Sequence, residues 1–581
     1  MAPTIRRRAI DARGDWPDSV PPLLRRVYAA RGADDPALAQ PKLAQLLPPD
    51  ALGDLDAAVM LLAEAIAGGG RILVVGDFDA DGATACALAV RGLRLLGARD
   101  VHHAVPNRLV HGYGLSPALV AELAGILPDP GSSPGQALLL TVDHGIACHA
   151  GIAAAKALGW RVLVTDHHLP GETLPPADAI VNPNRRGDAF ASKSLAGVGV
   201  VFYVLLALRR HLRDVGAFDD EAPDLSRLLD LVAVGTVADL VPLDANNRAL
   251  VAAGLRRLRA GKGCEGLKAL VEVSGRKAPL LTAADIGFAI APRINAAGRL
   301  EDMALGIECL LTDDAARARE LAELLHGINA ERRGLQQTMV DDAEAALAAV
   351  PAQGDGELPV AVCLCHPDWH PGVVGLVASK VKERLHRPVI AFAPSEPGGD
   401  SLRGSARSIP GLHIRDALAA VDSAHPGLVG RFGGHAMAAG LSLEAANLPT
   451  FEAAFRAAVA AMLDPAALQA ELPSDGELQP HEFDRVHADA IRDGGPWGQG
   501  FPEPLFDGVF EVLDWKIVGE RHLKLSLRHE GVREALNAIH FGGWTGEAPP
   551  WRAHLAYRLQ PDDWRGRSAV QLVIEALRPV V

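Results

Sequence analysis

The sequence predicts an α/β protein in which a parallel sheet is followed by a long helix, a second smaller α/β domain and a C-terminal β-barrel. Three observations lead to this fold class. Short apolar strands alternate with helical segments over residues 71–165, few helix breakers occur over 313–350, and apolar and polar residues alternate after residue 505. Repeated strand–helix units favour a mainly parallel sheet that is covered on both faces.

The length of the chain agrees with a multidomain protein. Its 581 residues are 49% hydrophobic and 22% charged, a composition typical of globular proteins. A chain of this length is expected to hold about three or four domains. The predicted segments are an irregular lead-in over 1–48, the first α/β domain over 49–312, the connecting helix over 313–352, the second α/β domain over 353–468, and a linker with the barrel over 469–581.

Charge and cysteine usage restrict the class of protein. A net charge of −14 is not typical of a general nucleic-acid binder, although a local basic groove would be compatible with it. The six cysteines form no CxxC pair and no zinc spacing, which favours a reducing compartment, and we expect the cytoplasm. Neither a signal peptide nor a membrane span is expected, because the longest apolar run, about 198–208, is too short.

The first α/β domain is predicted from apolar runs that are bounded by helical segments. Strands are expected at 71–75, 137–142 and 161–165, and helices at 83–96, from about 147, at 194–212 and over 224–260.

The second half of the chain repeats this pattern on a smaller scale before it changes to alternating segments. We expect strands at 360–364 and 388–392, a helix at 373–385, a helical region over 410–465 interrupted by a glycine-rich loop, a loop-like stretch over 470–505, and barrel strands at 509–513 and 522–527.

Three carboxylates follow the first strand in the segment VVGDFDADG, residues 74–82. In extended backbone Asp77, Asp79 and Asp81 would point to the same side, where their charges would repel unless a cation joined them. A calcium loop of the EF-hand type is an alternative, but it needs a Glu where this sequence has Leu88, and a preceding helix. A solvated turn is the other alternative.

Acidic groups and imidazoles also follow the next two strands. The second strand ends in Asp143-His144 and the third in Asp166-His167-His168, and ligands of open α/β sheets bind beyond this edge. Asp239 lies in an apolar helical run, where the alternative to a metal ligand is a paired buried acid. Carboxylates with one or two imidazoles suit Mn²⁺ or Mg²⁺, and the set is large enough for two ions that hydrolyse a phosphodiester.

These motifs carry a family resemblance. The segments GDFDADG, VDHG, TDHH and VADLVPL resemble the four motifs of the DHH phosphoesterases. The later segments RINAAGR, GRFGGHA and WGQGFPEP resemble the branch of that family that degrades single-stranded DNA in the 5′→3′ direction. The resemblance covers about residues 50–581, and it implies a DHH domain, a DHH-associated domain and a C-terminal OB-like barrel.

The resemblance also implies residue roles. The implied metal ligands are Asp77, Asp79, Asp81, Asp143, His167 and Asp239, and the implied catalytic residues are His168, at the scissile phosphate, and Asp166, which would orient an imidazole. The implied DNA contacts are Asn107, Arg108, Arg293, Arg299, Ser405, Arg407, Gly433, Gly434 and His435. His144 departs from the family, in which a Cys or another small residue is common at this position.

The function that the resemblance implies is a metal-dependent exonuclease for single-stranded DNA in repair and recombination. A narrow basic channel would admit one strand, and Lys516, Arg521, Lys524 and Arg528 of the barrel would contact phosphates or form a solvated face. A single-strand-binding protein and a helicase are implied partners of an expected monomer. The alternatives are another DHH phosphodiesterase, such as a nanoRNase or a cyclic-dinucleotide hydrolase, and a catalytically inactive DNA-binding homologue.

Overall fold

The computed structural model describes residues 3–10, 14–107, 111–126, 137–218, 221–349, 358–396, 398–562 and 569–580. They divide into two compact units. The large unit comprises Arg7–Asn329 and Ser474–Val581, and the small unit comprises Met1–Arg6 and Ala330–Pro473. No helix among these described residues has the length and apolar composition needed to cross a membrane.

The strands are numbered in chain order. They are β1 Thr4–Arg7, β2 Ile72–Val75, β3 Val101–Ala104, β4 Leu138–Val142, β5 Arg161–Thr165, β6 Ala179–Val181, β7 Val362–Cys365, β8 Val389–Pro394, β9 Ser401–Arg407, β10 Arg431–Gly434, β11 Ala438–Glu444, β12 Glu471–Ser474, β13 Phe506–Val518, β14 His522–Arg528, β15 Leu536–His540, β16 Arg552–Asp562 and β17 Ala569–Pro579.

The α-helices are numbered in the same way. They are α1 Pro22–Ala29, α2 Pro36–Ala39, α3 Leu55–Ala67, α4 Ala80–Leu95, α5 Pro117–Leu123, α6 His149–Ala157, α7 Gly197–Asp214, α8 Leu229–Ala238, α9 Ala245–Arg259, α10 Glu265–Val273, α11 Ala283–Asp285, α12 Ala291–Leu300, α13 Ala304–Leu311, α14 Ala315–Ala349, α15 Val374–Leu385, α16 Ile414–Ala424, α17 Leu448–Met462 and α18 Arg485–Asp493.

The large unit is built on a parallel sheet with the strand order β3-β2-β4-β5-β6. Helices cover both faces. Ile72 and Val74 of β2 join the core that contains α4, α7 and α8, whereas Leu73 and Val75 face the core that contains α5 and α6. This burial on both faces explains why the strands are continuous apolar runs, and it confirms the predicted doubly covered parallel sheet.

The C-terminal barrel is closed, with the strand order β13-β14-β15-β17-β16. Neighbouring strands are antiparallel except for the parallel pair β15 and β17. Inward side chains such as Phe506, Phe510 and Tyr557 are fully buried and belong to the same core as the helices of the sheet. The predicted barrel is therefore confirmed, and it is continuous with the core of the large unit.

The small unit has a mixed sheet with the strand order β10-β11-β9-β8-β7, in which only β7 and β8 are parallel among the paired strands described. Helices α16 and α17 pack over this sheet through Leu418, Phe451 and Phe455. The expected helical region over 410–465 is wrong between 431 and 444, where β10 and β11 form a hairpin. Ala438–Glu444 alternates between buried and more exposed residues, a period that indicates a strand.

The predicted long helix corresponds to α14, which extends over 35 residues. Residues 315–329 of this helix belong to the large unit and residues 330–349 to the small unit. The predicted boundary at GDGE, residues 354–357, lies outside the described residues.

The N-terminal segment is not an irregular lead-in, which corrects the expectation for residues 1–48. It contains β1, α1 and α2, and Tyr28 of α1 is fully buried between the rings of Trp16, Trp497 and Phe501. The expected loop over 470–505 is also partly wrong, because it contains α18. Both errors arise because these segments are ordered by contacts with each other, which a local pattern does not reveal.

A buried ion pair joins the N-terminal segment to the stretch before the barrel. Arg31 donates two hydrogen bonds to Asp475, of 2.8 and 2.9 Å, and the two side chains are 1% and 0% exposed. Arg31 also donates to the carbonyl oxygen of Pro502 at 2.7 Å, and Asp475 accepts from the Leu505 N–H at 3.0 Å. These contacts fix α1 and the residues that follow it within the large unit.

Candidate metal centre and nucleic-acid contacts

The carboxyl ends of β2, β4 and β5 lie side by side in the sheet, and acidic or imidazole side chains follow each of them. Strand β2 leads to Asp77, β4 to Asp143, and β5 to Asp166, His167 and His168. The large unit therefore presents these groups at the edge where open α/β sheets bind ligands.

The three aspartates after β2 do not lie along a strand. The prediction that extended backbone directs them to the same side is therefore wrong. Strand β2 ends at Val75 and α4 begins at Ala80, so Asp79 is the N-cap of α4 and accepts from the Gly82 N–H at 3.0 Å. Asp81 lies in the first turn, where it is 1% exposed. A turn and a helix start bring the carboxylates to the site.

Asp81 is held at the start of a second helix. Its two carboxylate oxygens accept hydrogen bonds from the Gly197 and Val198 N–H groups, at 2.6 and 3.0 Å, in the first turn of α7. A helix N-terminus stabilises a negative charge. Gly235 of α8 faces the same carboxylate, because a Cβ built there would lie 2.7 Å from Asp81 Oδ1. Sequence analysis did not identify either glycine.

Asp143 occupies a tight space after β4. It has a left-handed backbone with a φ of 65°, it is 2% exposed, and its Oδ1 has no hydrogen-bond partner among the described residues. A Cβ at Gly197 would lie 2.4 Å from this oxygen. Gly197 therefore has two roles, since it donates to Asp81 and leaves room for Asp143.

His167 stands between two acidic side chains. Its Nε2 lies 3.2 Å from Asp143 Oδ1 and 3.4 Å from Asp239 Oδ2. Asp239 caps the C-terminus of α8. His167 belongs to two groups of possible metal ligands, and within each group the donor atoms lie within 4.8 Å of one another. The first group also contains Asp143 and His168, and the second also contains Asp81 and Asp239.

Asp166 contacts both histidines, and its role in orienting an imidazole, which the family resemblance implied, stays a prediction. Its Oδ1 accepts from the His167 N–H at 2.7 Å and lies 2.8 Å from His168 Nδ1, and its Oδ2 accepts from the Ile146 N–H at 2.9 Å. Burial lowers the pKa of His168, but the hydrogen bond between its Nδ1 and Asp166 and the charge of Asp166 outweigh this effect and raise the pKa to about 9. The contact with Asp166 therefore favours the protonated form of His168.

The backbone of the two histidines is fixed by amide side chains that sequence analysis did not identify. Asn182 donates to the His168 carbonyl at 2.9 Å, and Asn184 donates to the His167 carbonyl at 2.6 Å. A third amide, Asn295, accepts from the Ala80 N–H at 2.8 Å. Asn295 lies in the RINAAGR segment, so this motif supports the first turn of α4.

The acidic groups are held so closely that their charges oppose one another. Burial and the charge of Asp79 raise the pKa of Asp81 to about 7. Burial and then the charges of Asp81 and Asp79 raise the pKa values of Asp143 and Asp239 well above the ordinary range. A site that destabilises ionised carboxylates in this way is suited to a cation, and oxygen donors with one or two imidazoles fit Mn²⁺ or Mg²⁺.

His144, the departure from the family motif, points away from these donor groups. It is fully buried, and its Nε2 lies 3.1 Å from the Val75 carbonyl oxygen. Burial lowers the pKa of His144 to about 4, so the ring is neutral at pH 7 and donates to that carbonyl. His144 therefore connects β2 to β4 and belongs to neither of the donor groups around His167.

The expected DNA contacts of the large unit have different positions. Asn107 is half-buried and its backbone N–H donates to His111 Nδ1 at 3.0 Å, whereas Arg108 lies outside the described residues. Arg293 is 8% exposed and donates to the Ala289 carbonyl oxygen and to His326. Arg293 is therefore mostly enclosed by the protein and Arg299 is half-buried, and a contact with DNA stays a prediction for both.

The other expected DNA contacts lie in the small unit. Arg407 Nη1 donates to Ser405 Oγ at 2.9 Å, and Nε donates to Ser379 Oγ of α15 at 3.1 Å. A Cβ at Gly375, in the first turn of α15, would lie 2.8 Å from Arg407 Nη2. Arginine, hydroxyl groups and a helix N-terminus thus meet at one place, a combination that suits a phosphate.

The glycine-rich segment of the small unit is a strand. Gly433 and Gly434 pair with Gly440 and Ala439 in the hairpin of β10 and β11, and the exposed His435 follows. Space remains around Gly433, where an added Cβ would contact nothing within 4 Å. An open glycine backbone is compatible with close approach of a ligand.

Comparison with known proteins adds independent evidence. Three family models match the chain in order: the DHH family, N-terminal domain over residues 71–236, the DHHA1 domain over 357–461 and the RecJ OB domain over 474–576. The single-stranded-DNA-specific exonuclease RecJ of Escherichia coli (strain K12) is 49% identical over 582 residues, which cover 99% of each chain. The protein of the same name from Thermus thermophilus is 37% identical over 92% of this chain and 73% of that one.

Solved structures give the same result. The crystal structure of RecJ in complex with Mn²⁺ from Thermus thermophilus has a TM-score of 0.79 at 35% identity, covering 97% of this chain and 76% of that chain. The corresponding Mg²⁺ complex has a TM-score of 0.74 at 33% identity, covering 97% and 75%.

Proposed function

Because the chain belongs to the RecJ family of DHH exonucleases, which its 49% identity to a relative over 99% of both chains shows, we propose that it degrades single-stranded DNA from the 5′ end to 5′-mononucleotides. The observation that carries this function is the buried group of carboxylates and imidazoles at the carboxyl edge of the parallel sheet. The cellular role that we propose is DNA repair and recombination.

A direct assay tests this function. We expect the purified protein with Mn²⁺ to release labelled mononucleotides at once from 5′-labelled single strands and only late from 3′-labelled ones. Blunt duplexes of the same sequence are the control and should resist degradation. Release of the 3′ label first, or equal rates on the duplex, would contradict the proposal.

We propose that the protein binds two metal ions, either Mn²⁺ or Mg²⁺. The proposed ligands are Asp77, Asp79, Asp81, Asp143, His167 and Asp239. When bound, such ions make water a stronger nucleophile and stabilise the charge on the departing oxygen of a phosphodiester. Gly197 supports this set because it positions Asp81 and leaves space for Asp143.

His168 is proposed to contact the scissile phosphate. A carboxylate accepts but does not donate, so the contact with Asp166 places a proton on His168 Nδ1, and in the protonated ring Nε2 also carries one. A charge-assisted hydrogen bond from Nε2 would orient the phosphate and offset its charge. His168 also belongs to one of the donor groups with Asp143, so its proton and a metal ion would exclude each other at Nε2.

The pocket around Arg407 is proposed to bind the 5′-phosphate of the strand. Ser405 and Ser379 hold the guanidinium, and Gly375 allows it to approach the start of α15 closely. The positive end of this helix and the guanidinium would act on the same anion.

Replacing Arg407 with alanine is expected to lower kcat/KM on 5′-phosphorylated strands roughly 10- to 100-fold, as expected for loss of a hydrogen bond to a charged group. Strands with a 5′-hydroxyl end should lose much less, because they lack the terminal anion. The measurement compares both substrates with the parent protein.

Arg384 gives the matched control. It lies at the other end of α15 and forms an ion pair with Glu344. Arg384→Ala should leave the ratio between the two substrates unchanged. An equal loss on both substrates in Arg407→Ala would mean that Arg407 is structural or binds an internal phosphate.

The barrel presents a basic face that we propose contacts the strand further along. Lys516 of β13 and Lys524 of β14 are directly opposite each other in the antiparallel register. Like charges at such positions destabilise a sheet unless an anion offsets them. The exposed ring of Phe541, close to His522, adds a surface for base stacking.

Replacing both Lys516 and Lys524 with alanine is expected to raise KM for long single strands and to leave kcat on very short strands unchanged. Contacts far from the reacting bond act as uniform binding. The slope of log affinity against log salt should fall by roughly 1 to 2, because two phosphate contacts are lost.

Arg528 is the control for this experiment, because it is exposed on β14 but forms an ion pair with Glu511 at 2.9 Å. Its replacement should change the salt dependence little. An unchanged salt slope in the double lysine variant would exclude this face as a DNA-binding surface.

We further propose the domain bounds 49–312, 313–352, 353–468 and 469–581, which the matches at 71–236, 357–461 and 474–576 support. A monomer in the cytoplasm that cooperates with a single-strand-binding protein and a helicase is part of the same proposal. No observation favours a nanoRNase, a cyclic-dinucleotide hydrolase or an inactive homologue, since the matched RecJ OB domain and the presence of every motif carboxylate in the sequence support the exonuclease.

A further inference from the structure

A second group of metal-binding side chains lies in the large unit, in the segment before the barrel. The sequence HEFDRVH, residues 481–487, brings donor atoms of His481, Glu482 and His487 within 4.8 Å of one another. His481 and Glu482 belong to a short helical turn, and His487 lies in the first turns of α18. The group is separate in sequence from every residue proposed above for catalysis or DNA binding.

His487 is already oriented as a ligand. Asp484, the N-cap of α18, accepts from the His487 backbone N–H at 2.8 Å, and the same oxygen lies 2.8 Å from His487 Nδ1. Since an ionised carboxylate only accepts, the ring must donate from Nδ1. The lone pair is therefore on Nε2, and a carboxylate that fixes the tautomer in this way is the usual neighbour of a metal-binding histidine.

Glu482 brings a negative charge to the group from a buried position. The residue is 5% exposed, and its Oε2 accepts from the Gln479 N–H at 2.7 Å. Arg26 of α1 is the cation beside it, with Nη2 at 3.4 Å from Oε2 and a side chain that is 25% exposed. That contact is longer than the hydrogen bond from the Gln479 N–H, so it is the weaker of the two.

His481 completes the group on the solvent side. It is exposed, and its ring is nearly perpendicular to that of His487, with the centroids 5.9 Å apart and an interplanar angle of 75°. A ring nitrogen of each histidine and an oxygen of Glu482 lie within 4.8 Å of one another, close enough to share one ion. The exposed side leaves access for an incoming ion and for water as a further ligand.

We propose that His481, Glu482 and His487 bind one Zn²⁺ or a similar transition-metal ion. Two imidazoles and one carboxylate are a set that selects zinc, cobalt or nickel over Mg²⁺, whereas the carboxylate-rich centre at the sheet edge suits Mg²⁺ and Mn²⁺. The ion would tie the turn at 480–482 to α18, which packs on the barrel strand β16. Its effect is therefore expected on the stability of this region.

The experiment measures Zn²⁺ bound to the full-length protein by equilibrium dialysis, with Mg²⁺ present in excess. We expect His481→Ala and Glu482→Gln each to bind one Zn²⁺ ion per molecule fewer than the parent protein at the same low concentration of free Zn²⁺. His481 is exposed, so its replacement should not disturb folding, and glutamine retains the acceptor for Gln479. The matched control is His102→Ala, which removes another partly exposed histidine that contacts an aspartate, Asp100, at 2.6 Å.

A second measurement follows stability. Ligand that binds only the folded state raises the unfolding temperature, so Zn²⁺ should stabilise the parent and His102→Ala more than His481→Ala. Equal Zn²⁺ content in the parent, His481→Ala and Glu482→Gln would overturn the proposal. Loss of all bound Zn²⁺ in Asp143→Asn would also overturn the proposal, because the ion would then belong to the sheet-edge centre.

Discussion

Replacing Asp143 with asparagine is expected to lower the rate of single-strand hydrolysis by at least about 1,000-fold, because the charge that would hold metal ions at the reacting phosphate is removed. Affinity for single-stranded DNA should change little, since phosphate contacts elsewhere supply most of it. Single-turnover cleavage at saturating Mn²⁺ and binding of a labelled strand measure the two effects separately.

Asparagine is chosen because the site is tight. Asp143 Oδ1 would lie 2.4 Å from a Cβ at Gly197, so a side chain of the same shape avoids a cavity or a clash. Asp100→Asn is the control. Asp100 precedes β3 at the opposite end of the sheet and pairs with Arg71 at 2.7 Å, so its replacement should leave the rate within a few-fold of the parent.

A rate for Asp143→Asn within a few-fold of the parent, at saturating Mn²⁺, would exclude Asp143 as an essential ligand. A parallel loss of DNA binding and of folded protein would instead point to a structural role. The unfolding temperature distinguishes these results, and removal of a buried, mutually repelling charge is expected to leave it unchanged or higher.

Replacing Asp475 with alanine is expected to destabilise the large unit by roughly 3–5 kcal/mol, the usual effect of breaking a buried ion pair. Arg31 would remain buried with a charge and without its carboxylate, and the Leu505 N–H would lose its acceptor. The shift in the unfolding midpoint in urea, followed by tryptophan fluorescence, measures the loss.

Arg210→Ala serves as the control, because Arg210 forms an ion pair with Asp50 in which both side chains are about half exposed, at 43% and 58%. Exposed pairs contribute at most about 1 kcal/mol. If Asp475→Ala unfolds at the same urea concentration as Arg210→Ala, the N-terminal segment does not contribute to the stability of the large unit.

The strands of the parallel sheet were predictable because burial on both faces leaves a local signal. Residues 72–75 form a continuous apolar run, and the predicted strand differs from β2 by one residue. The hairpin of β10 and β11 and helix α18 were not predictable in this way. Glycines obscure the period in the hairpin, and α18 is a short helix whose apolar face packs against the barrel and against α1.

The candidate site was predictable as a set of residue types but not as a geometry. Asp, His and their order along the chain identified the donors, whereas the turn and helix start that position Asp79 and Asp81 were missed. Gly197 and Asn295 act through contacts with residues more than 50 positions away, and one sequence carries no record of such contacts. The low exposure of Arg293, which donates to the Ala289 carbonyl oxygen, was likewise not predictable from its charge.

The ion pair between Arg31 and Asp475 joins residues that are 444 positions apart, and this separation affects the protein during its synthesis. At 5–20 residues per second, roughly 20–90 s pass before Asp475 follows Arg31 out of the ribosome. During that interval Tyr28 of α1 can contact Trp16 but lacks its other ring partners, Trp497 and Phe501. The contacts that bury α1 are therefore completed only after residues 475–505 have been synthesised.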